Sequence, residues 1–375
     1  MTYGFLILQL IMQIFVKSQM NNLWVMFFSL QIVCYFSIYD VPTPANVVIY
    51  VKQFKSLIQF DLLNPIAMAK IIDPEFNLKV FLLGSKPKVI TNPDQKASIV
   101  NDMFLYIFFA IVAVVVGILL IIARIFLPFL KDKLAPKIAA YKKKMLWNGT
   151  IQTVNVSFFQ TCISVGIQLK MVVRGSKYQE PLDFILMCVL TCYFMLLPFW
   201  VIYFVLRNRQ KLHLPGWKER FGNLYTDIHL TKSKYTILYY PMTMVRRTVF
   251  VAIPTFLPNA SWLQCQLVVM LSSFYLMWYL HVQPHNSRAR IRLEACNEIL
   301  IMLCVYHMML FSKYVTNIIA QFYFGYSYIA CIGLMLVGNM IRVVMISIAS
   351  MKAKRMKKQN AKAAEKALVR KAAEA

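Results

Sequence analysis

Carboxylates and arginines inside apolar runs are the residues of this chain whose types could do chemistry. Glu298 stands one helical turn into an apolar run, beside Asn297 and four residues after Glu294, with His307 further along. At the bilayer centre an ionised side chain costs about 2.5–3.5 kcal/mol even on the mildest scale, so it needs a partner or a function. Spacing of i, i+4 puts Glu294 and Glu298 on one helix face. Such a pair at a cavity mouth would attract cations. Equally, Glu298 could pair with Arg246, Arg247 or Arg342 and hold helices together. His307 fits either a proton relay or a hydrogen-bonded packing position. Gln160 and Gln168 belong to a polar stripe with Thr153, Ser157, Thr161 and Ser164, whose 3–4 residue spacing keeps them on one face. That face lines a wet cavity or meets another helix through hydrogen bonds, and Asn339 invites the same two readings. Arg246-Arg247 could bind a lipid phosphate.

The elements that must position these residues are membrane helices. The chain has 375 residues, 59% of them hydrophobic, and a mean hydropathy of +0.58. Soluble domains run near 45–50% apolar, so the sequence reads as a membrane protein. Residues 103–122, MFLYIFFAIVAVVVGILLII, pass without a charge and as a helix would cross about 30 Å of hydrocarbon. Arg124 and Lys142-Lys143-Lys144 follow it, which sets that end on the cytoplasmic or matrix side.

Threading outward gives an all-α polytopic bundle of about nine spans, amino terminus outside and carboxyl terminus inside. The spans are expected near 3–16, 23–38, 103–127, 151–173, 182–206, 237–257, 262–282, 295–311 and 322–350. Four regions result: a hairpin of two short spans over 1–39, a polar cap over 40–102, a seven-span bundle over 103–350 and a basic Ala/Lys-rich tail over 351–375. Residues 3–16 also fit the apolar core of a signal peptide, although a basic leader is missing. Six prolines between 40 and 98 suggest a cap of turns and short strands. The loop before Trp262 carries a glycosylation sequon, Asn259-Ala260-Ser261, on the outer side.

A net charge of +26 would point a soluble protein at nucleic acid. Here the basic residues sit in short loops and a tail between apolar runs, so no nucleic-acid partner is expected. The partners expected are the bilayer, anionic lipids drawn to the tail, and other membrane subunits. The eight cysteines all fall in or beside apolar runs, which excludes a secreted disulfide framework. Cys188 and Cys192 lack a ligating His or carboxylate nearby and read as packing residues, and no metal or other cofactor is expected. Hydrolase, zincin, Walker and dinucleotide motifs are missing from the polar segments, so an enzyme is not expected.

Three groups of residues carry a family likeness. They are Leu23-Trp24 through Leu30-Gln31-Ile32 with Pro44-Ala45-Asn46 and Gln59-Phe60-Asp61; Arg220-Phe221-Gly222-Asn223-Leu224-Tyr225 with Tyr239-Tyr240 and Arg246-Arg247; and Asn297-Glu298 with Tyr306-His307 and Phe311. In that order they resemble the carboxyl-terminal multi-pass region of large ciliate surface proteins, which is similar to transient-receptor-potential channels. The resemblance implies a channel-like bundle beneath a Cys-rich ectodomain, and no such ectodomain lies in this sequence. Two functions follow as expectations: a membrane conduit, most plausibly for cations, or a non-catalytic accessory subunit of a large membrane complex, in the mitochondrial inner membrane or at a surface or endomembrane.

Overall fold

A computed structural model describes residues 20–58, 150–175, 181–225, 227–230 and 232–374, together with 118 and 122. The spans expected at 3–16 and 103–127, most of the cap and the basic stretch 131–144 lie outside the described residues. The rest is helical: α1 (Met20–Cys34), α2 (Ala45–Ile58), α3 (Thr150–Val173), α4 (Pro181–Arg207), α5 (Pro215–Phe221), α6 (Tyr239–Phe256), α7 (Ser261–Val282), α8 (Arg288–Met309) and α9 (Ile318–Glu374). Among the described residues, four stretches are long and apolar enough to cross a membrane: Phe184–Arg207, Ser261–Val282, Arg288–Ser312 and Ile318–Ile346. Met26–Ile38 and Phe158–Val173 are shorter apolar helices. These helices make the chain an integral membrane protein.

One helix is enclosed by the others. From Ser29 to Phe36, eight consecutive residues are buried, which a helix permits only when neighbours cover every face. Helix α1 packs against α2, α8 and α9, and its carboxyl end reaches α3 and α6. There the Tyr35 hydroxyl donates to Gln160 Oε1 and the Tyr39 hydroxyl donates to the Phe250 carbonyl at 2.8 Å. The expected second span is therefore a core helix.

Around it α3 packs on α6, α6 on α7, α7 on α8 and α8 on α9, with α4 against α3 and α6. Gly166 allows the α3–α6 approach: a Cβ there would fall 2.2 Å from Val251 Cγ1, and the Thr255 hydroxyl reaches the Gly166 carbonyl at 3.4 Å. Small residues that let backbones close up are a usual device between helices in lipid. Helix α6 runs unbroken through Arg246-Arg247 and Pro254.

Where turns and strands were expected after Asp40, residues 45–58 form helix α2. Pro42 and Pro44 precede it and no further proline follows until Pro65, so the helix can start after Pro44 and propagate. The basic crossover 208–235 is a packed cap rather than a loose loop. Its Leu212, Leu224, Tyr225 and Ile228 are buried against Val201, Val205, Tyr275 and Tyr279. An isolated bridge pairs Ile228 with His285, and the His229 amide donates to the Pro284 carbonyl at 2.8 Å. Two of the basic segments thus meet at one rim.

At the opposite rim Asp40 gathers four donors. Its carboxylate accepts from Lys170 Nζ at 2.9 Å, Arg174 at 2.7 Å, the Asn259 amide at 3.0 Å and Gln264 Nε2 at 3.1 Å. Burial pushes the carboxyl up, but Lys170, the Asn259 amide, Gln264 and Arg174 together outweigh it and bring it from 3.8 down to about 2. A depressed carboxyl stabilises the fold fully above its unfolded value, and that contribution fades as pH falls from near 4 towards 2. Detergent-solubilised protein should lose thermal stability across this window, and Asp40→Asn should flatten that part of the profile. An unchanged acid limb in D40N would show that the cluster contributes nothing.

Candidate functional site

Glu294, Glu298, Arg246 and Arg247 come together between α6 and α8. Helix α8 carries its glutamates one turn apart on the face turned to α6 and α7, and all four side chains are nearly covered, at 7%, 7%, 8% and 6% exposure in the order named. Arg246 Nη1 meets Glu298 Oε1 at 2.5 Å, and its guanidinium lies 4.5 Å from the centre of the Tyr275 ring. Of the three arginines that could pair with Glu298, it is Arg246 that does so.

Glu294 is held from three sides. Arg290 Nε donates to its Oε1 at 2.9 Å, the Tyr239 hydroxyl to Oε2 at 2.9 Å, and His285 Nε2 lies 3.2 Å from Oε2. Arg290 also reaches Asp227 at 2.9 Å, which ties the crossover to the start of α8. Sequence reading missed Tyr239, His285, Arg290 and Asp227 as partners. The only signal in the chain is the i, i+4 spacing of Arg290 and Glu294.

Arg247 is different. Its guanidinium sits 4.0 Å from the Phe28 ring centre and 5.5 Å from that of Phe159, and donates weakly to the Asn155 carbonyl at 3.4 Å. No carboxylate lies within salt-bridge distance among the described residues. Glu298 Oε2 is buried without a hydrogen-bond partner. Both side chains line a cavity of about 50 Å³ walled by Phe28, Ser29, Tyr239 and Tyr275. A water needs about 10–15 Å³ of such space and two to four polar partners. The cavity is roomy enough for water, and Arg247 and Glu298 are among its polar lining groups. The Arg246-Arg247 pair, read from sequence as a lipid-phosphate site or a partner of Glu298, is interior: Arg246 faces α7 and α8, and Arg247 faces α1 and α3.

The remaining candidates each touch a neighbouring helix or lie buried. Asn297 and Asn339 exchange amide hydrogen bonds across α8 and α9, at 3.2 and 2.9 Å. His307 lies 2.7 Å from the Leu303 carbonyl and 2.9 Å from Ser327 Oγ on α9. Gln160 takes the Tyr35 hydroxyl, and Gln168 is buried in the same stripe. Interhelical hydrogen bonds in lipid average about 0.6 kcal/mol and reach about 1.7. Asn297→Leu with Asn339→Leu should therefore show a coupling of about 0.6–1.7 kcal/mol in a double-mutant cycle of unfolding. Strict additivity of the two substitutions would mean that the amides do not hold the helices together.

The described residues contain no group of three or more His, Cys, Asp or Glu placed to hold a metal. No family model, curated protein or solved structure matches this chain.

Proposed function

We propose that this chain is a non-catalytic subunit of a larger membrane assembly. One observation carries the reading: both carboxylates that could attract cations are bound to arginines of the same bundle, Glu294 to Arg290 and Glu298 to Arg246. A cation path needs acceptor oxygens turned toward a wet lumen. Here three of the four carboxylate oxygens are spent on protein groups, Glu294 on Arg290, Tyr239 and His285 and Glu298 Oε1 on Arg246, and Glu298 Oε2 alone is left facing the cavity.

Helix α9 supports the same reading. It is a single helix of 57 residues, about 85 Å long. Its apolar stretch ends at Ile346, so the following 28 residues to Glu374 project about 42 Å beyond it. They carry nine basic residues and two acidic ones. Screening limits attraction to anionic lipid to roughly the first 8 Å. The distal charges therefore suit an acidic protein surface rather than headgroups.

The conduit reading, with its likeness to transient-receptor-potential channels, is favoured by the cavity beside Arg247 and Glu298. The two separate in one comparison. Blue-native electrophoresis of mildly solubilised tagged protein should show a band well above the 43.6 kDa of one chain, and the purified protein should carry no current in a planar bilayer. A monomeric band together with a current altered by Glu298→Gln would overturn the subunit reading.

For anionic lipid, the rim at the end of α4 is the better place. Exposed Arg207, Lys211, Lys218 and Arg220 surround Trp200, Tyr203 and Trp217, and Lys211 lies 5.9 Å from the Trp217 ring centre. Aromatic and basic residues together mark the membrane–water boundary. Each such cation contributes about 1 kcal/mol near an anionic surface, so each neutralised residue should weaken retention of phosphatidylserine in native mass spectra about fivefold. Unchanged retention in the fourfold Gln variant would remove the lipid assignment.

A further inference from the structure

Helices α8 and α9 run antiparallel, and two hydrogen-bonded pairs set their register: Asn297 with Asn339, and His307 with Ser327. Cys304 lies seven residues after Asn297 and three before His307, while Cys331 lies eight before Asn339 and four after Ser327. The two cysteines therefore occupy one layer, on facing sides of the two helices. Both belong to the same buried core cluster, with Val305, Met308, Tyr328 and Ile332 around them. Both are free, Cys304 fully covered and Cys331 8% exposed. By contrast Cys188, Cys192 and Cys296 face outward.

We propose that Cys304 and Cys331 are an oxidisable pair, which a membrane-permeant hydroperoxide such as hydrogen peroxide closes into a disulfide that staples α8 to α9. Cys331, the more open of the two, attacks one peroxide oxygen. The O–O bond breaks, a sulfenic acid forms, and the other oxygen leaves as water with the thiol proton. The Cys304 sulfur then displaces the sulfenic hydroxyl, forming the S–S bond and releasing a second water. The two sulfurs give up two electrons in total, and the peroxide accepts both.

The bond would fix the two arms of the hairpin close to its turn. Between the helices Ser312 leaves helical geometry, with φ −73° and ψ −171°, and α9 restarts at Asn317, whose side chain accepts from the Ile319 and Ala320 amides. Beyond the cysteine layer, His307 meets Ser327, and nearer the turn Gln321 Nε2 donates to the Phe311 and Val315 carbonyls at 3.3 and 2.7 Å.

The test uses the full chain in detergent micelles: hydrogen peroxide, alkylation of remaining thiols in denaturant, trypsin and mass spectrometry. The expected product is peptide 293–313 joined to peptide 314–342 through Cys304 and Cys331, reversed by dithiothreitol, with Cys296 outside the link. Alkylation of both thiols after peroxide, a link made instead to Cys34 or Cys296, or sulfinic acid at either position without a link would overturn the proposal. Cys304→Ala removes the resolving thiol and should divert Cys331 to sulfinic acid. If C304A does not fold, the wild-type peptide map decides alone.

Discussion

Glu298→Leu should destabilise the bundle by about 3–5 kcal/mol, whereas the double variant with Arg246→Met should recover most of that loss. Removing the carboxylate alone leaves the Arg246 guanidinium buried at 8% exposure with the Tyr275 ring as its remaining neighbour. Removing both partners leaves an apolar pair of similar volume, and buried ion pairs replaced in this way are often neutral or better. Arg247 complicates the single variant further, because it shares the cavity wall with Glu298 and loses one of the two carboxylates there. Unfolding in a denaturing-detergent titration reads all three proteins. Equal losses in the single and double variants would mean that the ion pair is not what Arg246 depends on.

The second large effect is expected at Glu294. Leucine there deprives the Tyr239 hydroxyl and the His285 ring of their shared acceptor, each buried orphan costing about 1–3 kcal/mol. Arg290 keeps Asp227, so its own cost is partly offset. A total of about 2–6 kcal/mol follows. The loss should also have an address. Tyr239, His285 and Asp227 join the crossover to α8, so limited trypsin should cut E294L first within 209–234. Uniform fragility without faster cleavage there would argue that Glu294 stabilises the whole bundle and not this junction.

Much of the scaffold was legible because apolar runs of eighteen residues or more have few alternatives. Helices α4, α7, α8 and α9 lie close to the runs expected for them. The polar stripe of α3 was visible as well, since its period places Gln160, Ser164 and Gln168 on one face. What periodicity cannot reveal is the face's partner. Asn297 and Asn339 are 42 positions apart, and only the register between two antiparallel helices makes them meet. The same ignorance hid Asp40, which reads as the start of a polar cap and instead collects groups from α3, α7 and the loop before α7. For Arg246-Arg247 the sequence left two readings open, a lipid phosphate or pairing with Glu298, because spacing along one chain does not say which helix lies opposite. Burial behind Phe28 is a tertiary fact. The nature of α1 was the deepest ambiguity: LWVMFFSLQIVCYF is apolar on every side, as lipid-facing and enclosed helices both are.

That enclosure constrains how the protein can be made. The helix in the middle leaves the ribosome before nearly all of the helices that wrap it, so it must wait in the bilayer with Gln31 and Tyr35 unsheltered. Biogenesis then has an order: the nascent chain stays exchangeable, open to a chaperone or to the wrong neighbour, until α8 and α9 arrive. Release from the insertion machinery should therefore come late and all at once.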